Sequence, residues 1–112
     1  MEMVEPALMA RCDALRQPVT DLTLSGIQEV MDPKAVPRAM AAINQVSAVL
    51  AEGTAGIESP RYLSWHATAS QTLRSMMDAL QAGDGAESWR LFTAPGTGFN
   101  ELGAACQGCE GW

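Results

Sequence analysis

Chemically versatile side chains are few in this chain. Cys12, Cys106 and Cys109 are its three cysteines, and His66 is its single histidine. Cys106 and Cys109 form a Cys-x-x-Cys pair, a spacing that one helical turn or a tight turn brings together. Such a pair supports redox pairing or metal ligation, since the thiolate is both nucleophile and ligand. Three thiolates and one imidazole also match the tetrahedral donor set of structural zinc centres. Cys12, His66, Cys106 and Cys109 are therefore the candidate metal set. Structural readings stand beside it: a lone His on an apolar seam can simply be a packed core residue, and a lone helical Cys behaves as a small hydrophobe. The pair lies toward the end of a helical pattern, where the helix dipole disfavours thiolate. No βαβ pattern surrounds it, which argues against a thioredoxin-like enzyme. No catalytic residue emerges. Paired carboxylates in a pocket and a Ser-His-Asp set are missing, and the Gly96/Gly98 loop lacks the strand and lysine of a phosphate cradle. The expectation is a non-enzymatic protein.

Four helical stretches must position these residues. Cap and breaker signals put the first at about Glu5 to Met31, with Pro6 in its first turn and Pro18 predicted to kink it. Asp32-Pro33 reads as a cap followed by a first-turn proline, but Pro37 moves the start of the second helix toward Val36. That helix ends near Ala51, before Gly53 and Gly56. Ser59-Pro60 opens the third, which runs to about Gln81. Asp84-Gly85-Ala86-Glu87 is a capping box that starts the fourth. Ala94-Pro95-Gly96-Thr97-Gly98 breaks this last helix, leaving a second piece from about Phe99 to Cys109.

Apolar spacing supports the same division. Leu8, Cys12, Leu15, Val19, Leu22 and Gly26 step by four and three, as do Val36, Met40, Ile43, Ser47 and Leu50. Tyr62, His66, Ala69, Leu73, Met76 and Leu80 repeat the pattern, and Phe92, Phe99, Leu102, Cys106 and Cys109 share a compatible stripe. Narrow seams of this kind face neighbouring helices, and short connections favour antiparallel neighbours. The prediction is an all-α, antiparallel up-down-up-down four-helix bundle forming one domain over residues 1–112. In that topology Cys12, His66, Cys106 and Cys109 gather at one end. The seven methionines read as core filler, and Trp65 and Trp89 as contacts between helices or at an interface.

Bulk properties narrow the partners. A net charge of −6, with Lys34 as the only lysine, excludes the basic surface that nucleic acid requires. No apolar run reaches the ~18 residues of a membrane span. With no basic leader before an apolar stretch, the chain as written reads as cytoplasmic, or periplasmic if it is a trimmed mature chain.

The stretch Leu102-Gly103-Ala104-Ala105-Cys106-Gln107-Gly108-Cys109-Glu110-Gly111-Trp112 closes a helical bundle with Cys-x-x-Cys. Together with the Ala82-Gly83-Asp84 turn and the chain length, it resembles the smaller members of the cytochrome c′ family, whose last helix carries Cys-x-x-Cys-His. The resemblance implies that Cys106 and Cys109 occupy thioether positions and that Arg11 lies beside a haem propionate. It also implies a homodimer paired through the first two helices, where Ala39, Ala41, Ala42, Ser47 and Ala48 permit close approach. Glu110 stands where the family has its axial histidine, so ordinary covalent haem is not expected. His66 could serve instead as an axial ligand to non-covalent haem. Two functions follow. One is a cytochrome c′-like bundle that holds a small ligand, a metal or a haem-like group at its Cys-rich end. The alternative is a homodimeric structural or interaction bundle with no cofactor.

Overall fold

The computed structural model describes residues 5–112, which are all-helical, with no strand among them. The elements are α1 (Pro6–Glu29), a 3₁₀ turn (Pro33–Ala35), α2 (Val36–Leu50), α3 (Pro60–Gln81), α4 (Gly85–Phe92) and α5 (Phe99–Ala105). The molecule is elongated, 43 × 23 × 23 Å. Helix α1 packs on α2 and α4, α2 on α3, and α3 on both α4 and α5.

Local chemistry explains most boundaries. The Asp32 carboxylate accepts the Lys34 amide at 3.0 Å, while Pro33 and Pro37 each withhold a donor. A 3₁₀ turn absorbs the first proline. Helix α2 then begins at Val36, so that Pro37 falls in a first turn where no donor is needed. Ser59 Oγ accepts the Tyr62 amide at 3.4 Å and caps α3. Gly83, at φ 77°, turns the chain out of that helix. Only half of the expected capping box forms. Asp84 accepts the Glu87 amide at 3.0 Å, but the Glu87 carboxylate pairs with Arg90 instead of reaching back. Helix α1 runs unbroken through Pro18.

Two expectations on helix register need correction. The second helix buries Ala39, Ala42, Ile43, Val46 and Leu50, whereas Met40 is half-buried and Ser47 exposed. Ile43 and Leu50 hold as seam residues, while the inward face takes Ala39 in place of Met40 and Val46 in place of Ser47. The last helix stops at Ala105, so Cys106 is its C-cap and Cys109 lies beyond it. The seams of the first and third helices hold: Leu8, Cys12, Leu15, Val19, Leu22 and Gly26 are buried, as are Tyr62, Ala69, Leu73, Met76 and Leu80. Trp65 is fully buried in the core.

Five of the six aromatic side chains form one continuous series. Tyr62 meets Trp65 at 5.7 Å between ring centroids, Trp65 meets Phe99 edge-on at 5.5 Å, Phe99 stacks on Phe92 at 4.8 Å, and Phe92 on Trp89 at 5.2 Å. These contacts bridge the break between α4 and α5, so two short helices that would be unstable alone are fixed by tertiary packing. At the far end of the series, Trp89 lies over Gly26. A Cβ added at residue 26 would stand 2.9 Å from the indole.

Beside that contact, Glu29 is 5% exposed at the end of α1. Burial pushes its carboxyl pKa up, and the neighbouring Ser88 hydroxyl offsets part of the effect. One carboxylate oxygen and the Ser88 hydroxyl complete no well-formed hydrogen bond.

Candidate functional site

The sulfur-bearing residues meet where the start of α1 faces the C-terminal tail. Burial of the α1 seam carries Cys12 into the core, and burial of Leu102 and Ala105 brings Cys106 opposite it. The two form a disulfide with a Cα–Cα separation of 5.8 Å, joining residues 94 apart in sequence. Both are fully buried. Cys109 is the free cysteine, also buried, and burial pushes its thiol pKa up. Its amide donates to the Cys106 carbonyl at 2.9 Å, closing a tight turn between the two. Trp112 then folds back, and its Nε1–H donates to the Cys12 carbonyl at 2.9 Å. The tail is thus fastened to α1 twice, once covalently and once by a hydrogen bond. A hollow of about 230 Å³ lined by Met9, Asp13, Cys109 and Glu110 lies against it.

Two other candidates have structural tasks nearby. Arg11 donates from Nε to the Gly53 carbonyl and from Nη2 to the Glu52 carbonyl, each at 3.2 Å, and faces the Glu52 carboxylate at 3.7 Å. His66 Nε2–H donates to the Leu50 carbonyl at 3.1 Å, which fixes the proton on that nitrogen. The last carbonyls of a helix have no intrahelical partner and carry the negative end of its dipole. His66 from α3 therefore caps the C-terminal end of α2, while Arg11 from α1 holds the Glu52-Gly53 turn that follows it. Glu5 adds a third tie, accepting the Glu58 amide at 2.8 Å. The Tyr62 hydroxyl, close to Arg11, and the Trp65 Nε1–H are buried without partners.

The sequence-derived metal set is not assembled. The described residues contain no group of three or more His, Cys, Asp or Glu side chains placed to hold a metal ion. Cys12 and Cys106 spend their sulfurs on each other, while His66 turns its Nε2 to Leu50. Nor do the residues fit thioether attachment of haem. Cys106, one of the two attachment positions the resemblance implies, has its sulfur bonded to Cys12, and both lie in a filled core. The Arg11 guanidinium, the expected neighbour of a haem propionate, is engaged by the Glu52 and Gly53 carbonyls just beyond α2.

Comparison with protein-family models, with curated proteins and with solved structures finds no match, so geometry alone carries the reading of this end. The Cys12–Cys106 pairing had a partial signal in the sequence: both residues fall on seams that meet at one end, and an odd count leaves one thiol over. The roles of Arg11 and His66 had none. Their partners lie 42 and 16 residues away, and nothing about a helical Arg or His announces a distant carbonyl.

Proposed function

We propose that this protein is a non-enzymatic, disulfide-fastened helical bundle that works as an interaction module and pairs with a second copy of itself. The observation that carries the reading is an uncovered apolar face at the end of α1. Leu24 and Ile27 are about half exposed and Met31 is 90% exposed, with Val30 beside them. Positions 24 and 27 lie on one side of α1, and Val30 and Met31 follow directly in the turn that leaves it, so the exposed apolar residues are close in the chain and not scattered.

The surroundings favour a second copy as occupant. The adjoining α1–α2 groove, a hollow of about 170 Å³, is lined by Asp21 from α1 and by Arg38, Ala41, Ala42 and Gln45 from α2. A two-fold contact offers the acid of one copy to the base of the other, the self-complementarity that an isologous interface needs. Arg38, one of the seven cations of an acidic chain, lies in this groove and gives the contact patch a base beside its acid. Ala41 and Ala42 keep the groove shallow enough for close approach.

The helix order in this proposal is up-down-up-down, with α4 and α5 together forming the fourth member. Its support is the set of end-to-end ties: Arg11 at the start of α1 with the turn after α2, His66 near the start of α3 with the close of α2, and Cys12 with the end of α5. The likeness to cytochrome c′ is proposed at this level of architecture alone.

The test is sedimentation equilibrium of the wild type beside Leu24→Asp/Ile27→Asp. The wild type should approach twice the 11.9 kDa chain mass as concentration rises. The double variant should remain a monomer with an unchanged helical circular dichroism spectrum. A wild type that stays monomeric throughout overturns the proposal.

A further inference from the structure

Cys106 is bonded to Cys12 and faces Cys109 across a tight turn, and this bears on what the third cysteine does. The turn Cys106-Gln107-Gly108-Cys109 is closed by the Cys109 amide donating to the Cys106 carbonyl at 2.9 Å. Gly108 takes φ 94°, the left-handed conformation a type II turn requires at its third residue. Residues that bracket such a turn have Cα atoms less than ~7 Å apart, which overlaps the span a disulfide accepts. On the other side, Cys12 is already bonded to Cys106 across 5.8 Å. All three cysteines are buried at one end of the molecule, and the hollow beside Met9, Asp13 and Glu110 gives Cys109 room to move.

We propose that Cys12, Cys106 and Cys109 form an intramolecular disulfide-exchange switch, in which Cys109 displaces Cys12 from Cys106 and so releases the C-terminal tail from α1. The Cys109 thiolate attacks Sγ of Cys106. The Cys106–Cys109 bond forms as the Cys12–Cys106 bond breaks, and the electron pair leaves on Cys12, which then takes up the proton Cys109 gave to solvent. One disulfide and one thiol are present before and after, so no external oxidant or reductant takes part.

The resting pairing is favoured because the packed fold holds Cys12 opposite Cys106 and Trp112 keeps the tail docked. Three features restrain the step. Burial pushes the Cys109 thiol pKa up, and the carboxylates of Glu110 in the tail and of Asp13 on α1, the latter 3.6 Å from the Arg16 guanidinium, border the same hollow. Each disfavours a second negative charge there, so exchange should be slow near neutrality and quicken as pH rises. Once exchanged, the tail keeps the Trp112 hydrogen bond and its packing against α1 but no covalent tie.

The sequence makes the switch readable by mass. Trypsin cuts after Arg11, Arg16 and Arg90, which places Cys12 on a short peptide and Cys106 with Cys109 on the C-terminal one. Full-length protein is incubated across a pH series, then quenched with acid and N-ethylmaleimide and digested without reductant. The expected products are an alkylated Cys12 peptide and a C-terminal peptide with an internal disulfide. They should appear about tenfold faster per pH unit while the attacking thiol is mostly protonated, at a rate independent of protein concentration. Cys109→Ser should abolish Cys12 labelling, with Cys109→Ala as the alternative should the serine variant not fold. Labelling confined to Cys109 at every pH overturns the proposal. So does Cys12 labelling that persists in the Cys109 variant.

Discussion

Reducing the Cys12–Cys106 disulfide in the otherwise unaltered protein removes a single bond and no atom larger than hydrogen is added, so its effect can be worked from the structure. The bond joins positions 94 residues apart. Closing a loop of that length lowers the entropy of the unfolded chain by an amount worth ~4.7 kcal/mol at 25 °C in the chain-entropy model, with 2–4 kcal/mol typical of measured cases. A domain of this size has a net stability of about 5–15 kcal/mol, so the loss is a large fraction of the whole. Melting should be followed by circular dichroism with and without reductant, with thiol titration confirming one free thiol before reduction and three after. The midpoint should fall by roughly 10–20 °C. Because the bond acts on the unfolded chain, the denaturant m-value should also rise on reduction as the unfolded state expands. A midpoint that moves by less than about 3 °C, with three thiols titrated, would refute the reasoning. It would mean that packing of Leu8, Leu15, Leu102 and the Trp112 hydrogen bond already fix the tail.

Two further outcomes test packing and charge at the opposite end. Gly26→Ala puts a methyl 2.9 Å from the Trp89 indole, so it should cost about 1–3 kcal/mol in chemical denaturation despite the better helix propensity of alanine; a stabilised variant would show that Trp89 moves aside freely. Glu29→Gln should stabilise the protein near neutrality. The native carboxyl has a raised pKa, so the stability it contributes is full below the unfolded value and is lost as pH climbs through the native one. The advantage of glutamine should therefore shrink as pH falls toward the ordinary carboxylate range, and a pH-independent difference would contradict the account.

The sequence by itself determined the helices and most of their inward faces. Asp32, Ser59 and Asp84 are capping residues whose side chains bond the amides of their own segments, and Gly83 provides a conformation that other residues rarely adopt. Such interactions span a few positions and leave a pattern in the chain. The four-and-three spacing of Leu8, Cys12, Leu15, Val19 and Leu22 is legible for the same reason, since helical period and burial are local and periodic.

What only the tertiary structure decided depends on partners far away in sequence. That Cys106 takes Cys12, leaving its sequence neighbour Cys109 free, follows from how α1 packs against the close of α5. Arg11 and His66 were legible as candidate ligands because of their side-chain types, yet His66 serves the last carbonyl of α2 and Arg11 the Glu52 and Gly53 carbonyls of the turn after it. Which side chain reaches such carbonyls is settled by packing. Two positions of the α2 seam differ from the spacing, Ala39 for Met40 and Val46 for Ser47, because the shape of the facing helices chose between adjacent residues that helical period alone does not separate. Glu29 shows the same limit. Nothing near it in the chain marks it as buried, and it is covered because α4 lays Ser88 and Gly85 against the last turn of α1.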